Sequence, residues 1–76
     1  MNTYFETIVD GYFKIIPATD MGYSHDIGNS LEDVSKAMVN IQEELRKKHF
    51  SIEMLDCFML VPDNHENLVR VGVYNH

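Results

Sequence analysis

Histidines and carboxylates are the side chains of this sequence most able to bind a metal ion. The two best-placed groups are the dipeptide His25-Asp26 and the trio Asp63, His65 and Glu66. A structural zinc site needs four converging ligands, and neither group makes a complete set. No two histidines stand four residues apart, which is the helical spacing of a metalloprotease site. We therefore expect neither a metal site nor a cofactor.

The single cysteine, Cys57, is the strongest nucleophile in the chain. It begins the apolar run 57–61, where burial raises the pKa of a thiol and leaves it unreactive. Nucleophilic catalysis also needs a base and an orienting group, and the sequence offers no such set. Glu43-Glu44 has lysines four residues further along, which favours a solvated helix surface over an acid–base pair. The sequence therefore predicts a protein that is not an enzyme.

The segment Tyr23-Ser24-His25-Asp26 combines an aromatic ring, an imidazole and a carboxylate in an irregular stretch. Aromatic side chains anchor protein interfaces, and complementary charge aids docking. We therefore nominate Tyr23, His25 and Asp26 as residues that bind a basic partner protein. The alternative is that Tyr23 packs on the sheet while His25 and Asp26 face solvent.

One helix is predicted to follow this segment, beginning after Ser30. The Ser30 hydroxyl can accept a hydrogen bond from a free amide of the first turn, and Asp33 occupies the acidic position of a capping box. Apolar residues then recur at alternating spacings of three and four, which marks one face of a helix. They are Leu31, Val34, Met38, Ile41 and Leu45.

A β-hairpin is predicted before the segment, because two β-rich runs, residues 4–9 and 12–16, flank Asp10-Gly11. Aspartate and glycine tolerate the positive φ angles of a type I′ turn, which places Ile8 opposite Phe13. The half-buried face of this hairpin would contain Tyr4, Ile8, Phe13 and Ile15.

The remaining strands are predicted from shorter patterns. Residues 22–25 are compatible with a short third strand, and residues 50–54 alternate apolar with polar side chains. Residues 55–61 are apolar on both faces, so this strand needs cover on both sides, either from its own fold or from a partner. Because symmetric dimers are the commonest oligomers, we expect a homodimer whose interface contains Phe58, Met59 and Leu60. A last strand is predicted at 68–74.

These elements predict one α+β domain, residues 1–76, in the order β-β-(β)-α-β-β. In it, a small antiparallel sheet carries one amphipathic helix packed on one face. A 76-residue chain buries only about 60–65% of the surface that it exposes when unfolded, so its core is small and association would add stability.

The net charge of −6 limits the partners of this domain. Nucleic-acid binding needs a basic surface that displaces the counterions of phosphates, and docking on an anionic membrane needs basic residues too. The first residues lack the basic and apolar regions of a signal peptide, and the longest apolar run is too short for a membrane span. We therefore expect a cytoplasmic protein that binds neither nucleic acid nor membrane.

Several motifs, taken together, resemble the HicB antitoxin family. They are Asp10-Gly11-Tyr12-Phe13, Pro17, Gly22 and Ser30-Leu31-Glu32-Asp33-Val34. The family has an aspartate-glycine-aromatic hairpin, a Pro-Asp-Leu-Pro-Gly loop, a short third strand, a Gly-Asp-Thr turn and a Leu-Glu-Glu-Ala helix start. Gly28-Asn29-Ser30 stands where the Gly-Asp-Thr turn is expected. The resemblance covers about residues 4–50. The loop at 18–22 keeps one proline of the family pattern, and residues 50–76 do not follow the family closely.

The resemblance implies a partial RNase H-like domain that lacks catalytic carboxylates, covers a small basic RNA-cleaving toxin and associates with itself. On this basis we predict a non-enzymatic protein-interaction domain that binds and occludes a small basic, toxin-like partner. One alternative is a ligand-binding or sensor domain that uses the same fold around a small pocket. Another is a mobile-element or phage protein that inhibits a host nuclease by presenting an acidic surface.

Overall fold

A computed structural model describes residues 2–28 and 30–73, which contain four strands and two helices. These elements are β1 (Thr3–Val9), β2 (Tyr12–Pro17), a 3-10 helix (Ala18–Met21), α1 (Leu31–Arg46), β3 (Ile52–Pro62) and β4 (Leu68–Gly72). The strands form one antiparallel sheet in the order β2-β1-β3-β4. The α1 helix packs on one face of this sheet. The predicted α+β fold is therefore confirmed.

The β1–β2 hairpin forms with the predicted turn and register. Asp10 and Gly11 have φ angles of 51° and 86°, the positive values that a type I′ turn requires at both central positions. Ile8 lies opposite Phe13 as expected. Turn chemistry alone therefore sets the alignment of the two strands.

The hairpin face that enters the core is the opposite of the predicted one. The buried side chains of β1 are Thr3, Phe5, Thr7 and Val9. Phe13 and Ile15, which were expected to be half-buried, are 59% and 49% exposed. The face that holds these two residues also carries Glu6 of β1 opposite Asp56 of β3. A helix packed on that face would bury two carboxylates, so α1 covers the other one.

The α1 helix begins as predicted. The Asp33 N–H donates to Ser30 Oγ at 3.1 Å, and the Ser30 hydroxyl donates to Asp33 Oδ2 at 2.8 Å. The buried residues of the helix are Val34, Ala37 and Ile41, with Met38 and Leu45 packed partly against them. Leu31 is 61% exposed, so the packed stripe starts one turn later than predicted. Among the residues described, no helix is both long and apolar enough to cross a membrane.

The predicted third strand at 22–25 is wrong. After β2 the chain forms the 3-10 helix, which ends at Gly22 with a φ of 85°, and an irregular loop follows. A single main-chain hydrogen bond, from the Thr3 N–H to the His25 carbonyl at 2.8 Å, holds this loop beside the start of β1. One such bond fixes the loop in place without making it a strand of the sheet.

The two predicted segments at 50–54 and 55–61 form one long strand, β3. Its register with β1 shifts between Glu6 and Thr7, which leaves Leu55 as an extra residue on β3. Such a bulge interrupts the alternation of side chains, and this explains why the pattern of the sequence breaks at Leu55. Phe50 precedes the strand and is 98% exposed. The last strand ends at Gly72, and the final residue of the prediction, Tyr74, lies outside the described residues.

Candidate functional site

A cleft of about 380 Å³ separates the loop at 23–28 from the N-terminal half of α1. It is lined by Tyr23, Ser24, Asp26, Ile27, Asp33, Lys36, Ala37 and Asn40. Two of the three nominated partner-binding residues, Tyr23 and Asp26, therefore meet at one site. The third, His25, is exposed but does not line the cleft.

The loop side of the cleft is shaped by local hydrogen bonds. Asp26 Oδ1 accepts from the Gly28 N–H at 2.8 Å, and the Ser24 hydroxyl donates to the Asp26 carbonyl at 2.7 Å. Gly28 has a φ of 85°, and a Cβ atom at this position would lie 3.3 Å from Asp33 Oδ2. A glycine is therefore what allows the loop to approach the first turn of α1 so closely.

Tyr23 serves both the fold and the cleft. It is half-buried and packs against the core cluster that includes Val34, Ala37 and Ile41. The loop next to it is anchored by Thr3, whose hydroxyl donates to the His25 carbonyl at 3.1 Å. The alternative in which Tyr23 packs on the body of the protein is thus partly correct, while Asp26 is exposed.

Charge in the cleft is predominantly negative. Asp26 comes from the loop and Asp33 from the first turn of α1, and the one basic group of the lining is Lys36. Asp33 and Lys36 lie three residues apart and so share one side of the helix. The sequence shows that spacing, but it does not show that the loop would lie against that side. Both residues were therefore missed as members of the site.

A second, shallower concavity of about 330 Å³ lies on the solvent side of α1. It is lined by Glu32, Ser35, Lys36, Val39 and Asn40. Lys36 and Asn40 border both hollows, so they form a ridge between them. Val39 is 52% exposed and supplies an apolar contact on the far side of this ridge.

The cleft is lined by polar and apolar side chains, and Cys57 lies away from it. The cleft lining offers carboxylates, a hydroxyl, an amide and an aromatic ring, but neither a thiol nor an imidazole. Within residues 2–28 and 30–73, no three histidine, cysteine, aspartate or glutamate side chains are placed to hold a metal ion. Cys57 is 1% exposed, and its burial, followed by the charge of Asp56, raises the pKa of the thiol to about 12. This thiol stays protonated at neutral pH.

The residues nominated for a dimer interface do not share one surface. Phe58, Met59 and Leu60 lie in β3, which is an interior strand between β1 and β4. Phe58 and Leu60 point away from α1, whereas Met59 packs on the helix side. Phe58 is 4% exposed, because the Tyr4 ring stacks on it at 5.7 Å and the Arg70 guanidinium lies 4.2 Å from its ring centre.

Arg70 is the centre of a charged cluster on the helix-free face of the sheet. Its guanidinium donates hydrogen bonds to the carboxylates of Glu6 and Asp56, and these bonds raise the pKa of Arg70 further above its usual value. The cluster joins β1, β3 and β4. Glu6 and Arg70 are 64 residues apart in sequence, so no local pattern could have indicated their contact.

Comparison with known proteins identifies no relative of this chain. No protein-family model matches it, and no curated protein or solved structure is significantly similar to it. The functional conclusion therefore depends on the residues of the cleft and on the sequence motifs described above.

Proposed function

We propose that the protein is a non-enzymatic interaction domain of HicB-like type, which binds a small basic partner and suppresses its activity by occlusion. The observation that supports this most directly is the cleft between the 23–28 loop and α1. It brings Tyr23 and Asp26, nominated from sequence, together with the carboxylate of Asp33.

A lysine or arginine side chain of the partner fits the chemistry of this cleft. Its charged end would pair with Asp26 or Asp33, and its apolar stem would lie against Tyr23, Ile27 and Ala37. The net charge of −6 would in addition attract a basic protein from a distance and speed the encounter. The ridge at Lys36 would extend the contact to the hollow beside Val39.

Co-expression of the protein with the product of a neighbouring reading frame that encodes a small basic protein tests this proposal. The first variant is Asp26→Asn, which retains the side-chain oxygen that accepts from Gly28. It should weaken the complex about two- to fivefold, the range for one exposed ion pair. Lys36→Gln should strengthen the complex by a similar factor, because it removes the one positive charge of the lining.

The matched control is Glu53→Gln, which removes one exposed carboxylate outside the cleft. It should change affinity less than Asp26→Asn does, and equal effects would mean that net charge alone drives binding. Tyr23 is a poorer probe, because it also packs against the core. Two results would exclude the antitoxin-like function. One is that the protein retains no small basic partner, and the other is that both cleft variants bind the partner with unchanged affinity.

A ligand-binding or sensor role is the second candidate, and the size of the cleft favours it. Small-molecule sites have volumes of about 300–1,000 Å³, and the cleft lies within this range. Its two carboxylates would select a small organic amine. Mass spectrometry of the natively purified protein distinguishes the two roles, since a sensor would carry a small molecule in the absence of any partner protein.

A further inference from the structure

The β2 strand forms one edge of the sheet and exposes large aromatic and aliphatic side chains. In the part of the chain that the structure describes, β2 pairs with β1 on one side and with no strand on the other. Tyr12, Phe13 and Ile15 are 73%, 59% and 49% exposed. Large apolar side chains on a free edge are unusual, because such an edge is a template for pairing with another strand.

The free main-chain groups of this edge belong to Phe13 and Ile15. The residues that flank a two-residue type I′ turn, Val9 and Tyr12, form a hydrogen-bonded pair. Hydrogen-bonded pairs alternate along an antiparallel ladder, so residues 12, 14 and 16 bond to β1. The N–H and C=O groups of Phe13 and Ile15 therefore point away from the sheet, ready to bond to another strand.

β2 has few of the features that protect edge strands from pairing with another strand. Natural edges carry charges, prolines or bulges that block pairing. β2 has one charged residue, Lys14, and its proline, Pro17, stands at the end of the strand. Its pairing with β1 runs without a register shift. The central part of the edge is thus open to a partner strand.

We propose that β2 pairs antiparallel with β2 of a second copy of the chain, joining two four-stranded sheets into one of eight strands. A two-fold axis perpendicular to the sheet makes such an edge complementary to itself. It also places both α1 helices on the same face of the joined sheet.

Charge favours β2 over the other edge for this contact. Each chain carries a net charge of −6, so two copies repel one another over most of their surfaces. β2 contains the base Lys14 and no acidic residue. β4 also contains one base and no acidic residue, but this base, Arg70, is already paired with Glu6 and Asp56. Repulsion between two copies is therefore smaller at β2.

One register suits the side chains best. Aligning Lys14 with Lys14 of the second copy would oppose two like charges, which is unfavourable across a strand pair. Aligning Phe13 with its symmetry mate instead brings the two rings together on the helix-free face. It also places Tyr12 opposite Lys14 of the second copy, where the ring can contact the ammonium group.

The size of this contact sets its strength. The exposed parts of three large side chains and one strand edge amount to a few hundred Å² per chain, below the roughly 800 Å² of a standard specific interface. We therefore expect a reversible dimer with a Kd of about micromolar order rather than an obligate one. This dimer does not depend on the proposed function of the cleft.

Sedimentation equilibrium over a wide concentration range tests the pairing. The key variant is Phe13→Pro, which removes the outward N–H that bonds to the second copy in this register but no hydrogen bond to β1, and edge strands accept proline at such positions. It should raise the Kd of the dimer at least about tenfold, because both copies lose a donor. Phe13→Ala loses side-chain contact but keeps the N–H, so its Kd should rise less than that of Phe13→Pro.

A second pair of variants tests the same contact without proline, in case the proline variant misfolds. Phe13→Lys places a charge on the β2 edge, and Leu68→Lys places one on β4 at a residue that is similarly exposed, at 64%. Phe13→Lys should disperse the dimer, and Leu68→Lys should leave it intact, while circular dichroism shows both folded. A wild-type protein that stays monomeric at high concentration overturns the proposal. So does a dimer that survives Phe13→Lys or is dispersed by Leu68→Lys.

Discussion

At the scale of single residues, Asp10 connects the hairpin turn to the chain that follows α1. Its carboxylate accepts hydrogen bonds from the Ser51 N–H at 2.9 Å and from His49 Nδ1 at 3.1 Å. The main-chain bond from Ser51 is the largest influence and lowers the pKa of Asp10, with a further contribution from His49. Asp10 also adopts the positive φ of the turn, so one residue type satisfies two requirements.

The first prediction is that Asp10→Asn lowers the melting temperature at neutral pH. A carboxyl whose pKa is lower in the folded state contributes stability above its unfolded pKa of about 4, and this stability is lost as pH falls through the folded value. The difference in melting temperature between wild type and variant should therefore be largest near neutral pH and shrink in acid. Asparagine suits this comparison because it tolerates the positive φ.

Thermal melts from neutral pH into the acid range measure this effect. Asp20→Asn is the control, since Asp20 is an exposed carboxylate on the 3-10 helix. A difference between wild type and Asp10→Asn that does not change with pH would show that the negative charge of Asp10 does not contribute to stability.

At the scale of elements, α1 supplies three of the seven buried residues in the core cluster of the described chain. Its buried face is narrow and consists of Val34, Ala37 and Ile41, with Ile41 only 1% exposed. The small side chain of Ala37 lets the helix lie close to the sheet. Leu31 belongs to the same apolar pattern in sequence but projects into solvent.

The second prediction compares two alanine substitutions on this helix. Ile41→Ala should lower the free energy of unfolding by about 2–5 kcal/mol, because it leaves a cavity in the core. Leu31→Ala should change it by less than about 0.5 kcal/mol, since the side chain is already mostly solvated. Urea denaturation provides both values. Similar losses for the two variants would mean that the packed stripe begins at Leu31.

At the scale of the whole molecule, the two faces of the sheet are stabilised differently. The α1 helix covers one face with apolar contacts, while Arg70 covers part of the other by lying over Phe58 and bridging two carboxylates. A guanidinium can do both because it is planar and has several donors. The one α-helix of residues 2–28 and 30–73 leaves the second face to this cluster and to exposed side chains.

The third prediction is that Arg70→Ala lowers the melting temperature, because it uncovers Phe58 and leaves Glu6 and Asp56 facing each other without a counter-charge. Combining it with Glu6→Gln and Asp56→Asn should restore part of the loss by removing that repulsion. Arg70→Lys should melt at a lower temperature than the wild type, since an ammonium group cannot bridge both carboxylates in the same plane. Melts of the wild type and the three variants at neutral pH check this order, and no recovery in the triple variant would contradict it.

Local chemistry was sufficient to predict the β1–β2 hairpin and the start of α1. The Asp10-Gly11 turn determined the register of the hairpin, and Ser30 with Asp33 determined where α1 begins. These features depend on residues close together in the chain, whose conformations and hydrogen bonds are set by their own types. Two of the eight residues that line the cleft, Tyr23 and Asp26, were predicted in the same way, from one four-residue segment.

Tertiary structure alone decided the buried face of the hairpin, the opposite wall of the cleft and the Arg70 cluster. A strand with apolar residues on both faces does not reveal which face a helix will cover. Here the pairing of Glu6 with Asp56 decides which face of the hairpin is buried. Asp33 and Lys36 join the site because the 23–28 loop packs against α1. These outcomes depend on contacts between segments that are distant in sequence. The local spacing of apolar and polar residues does not report the energies of such contacts.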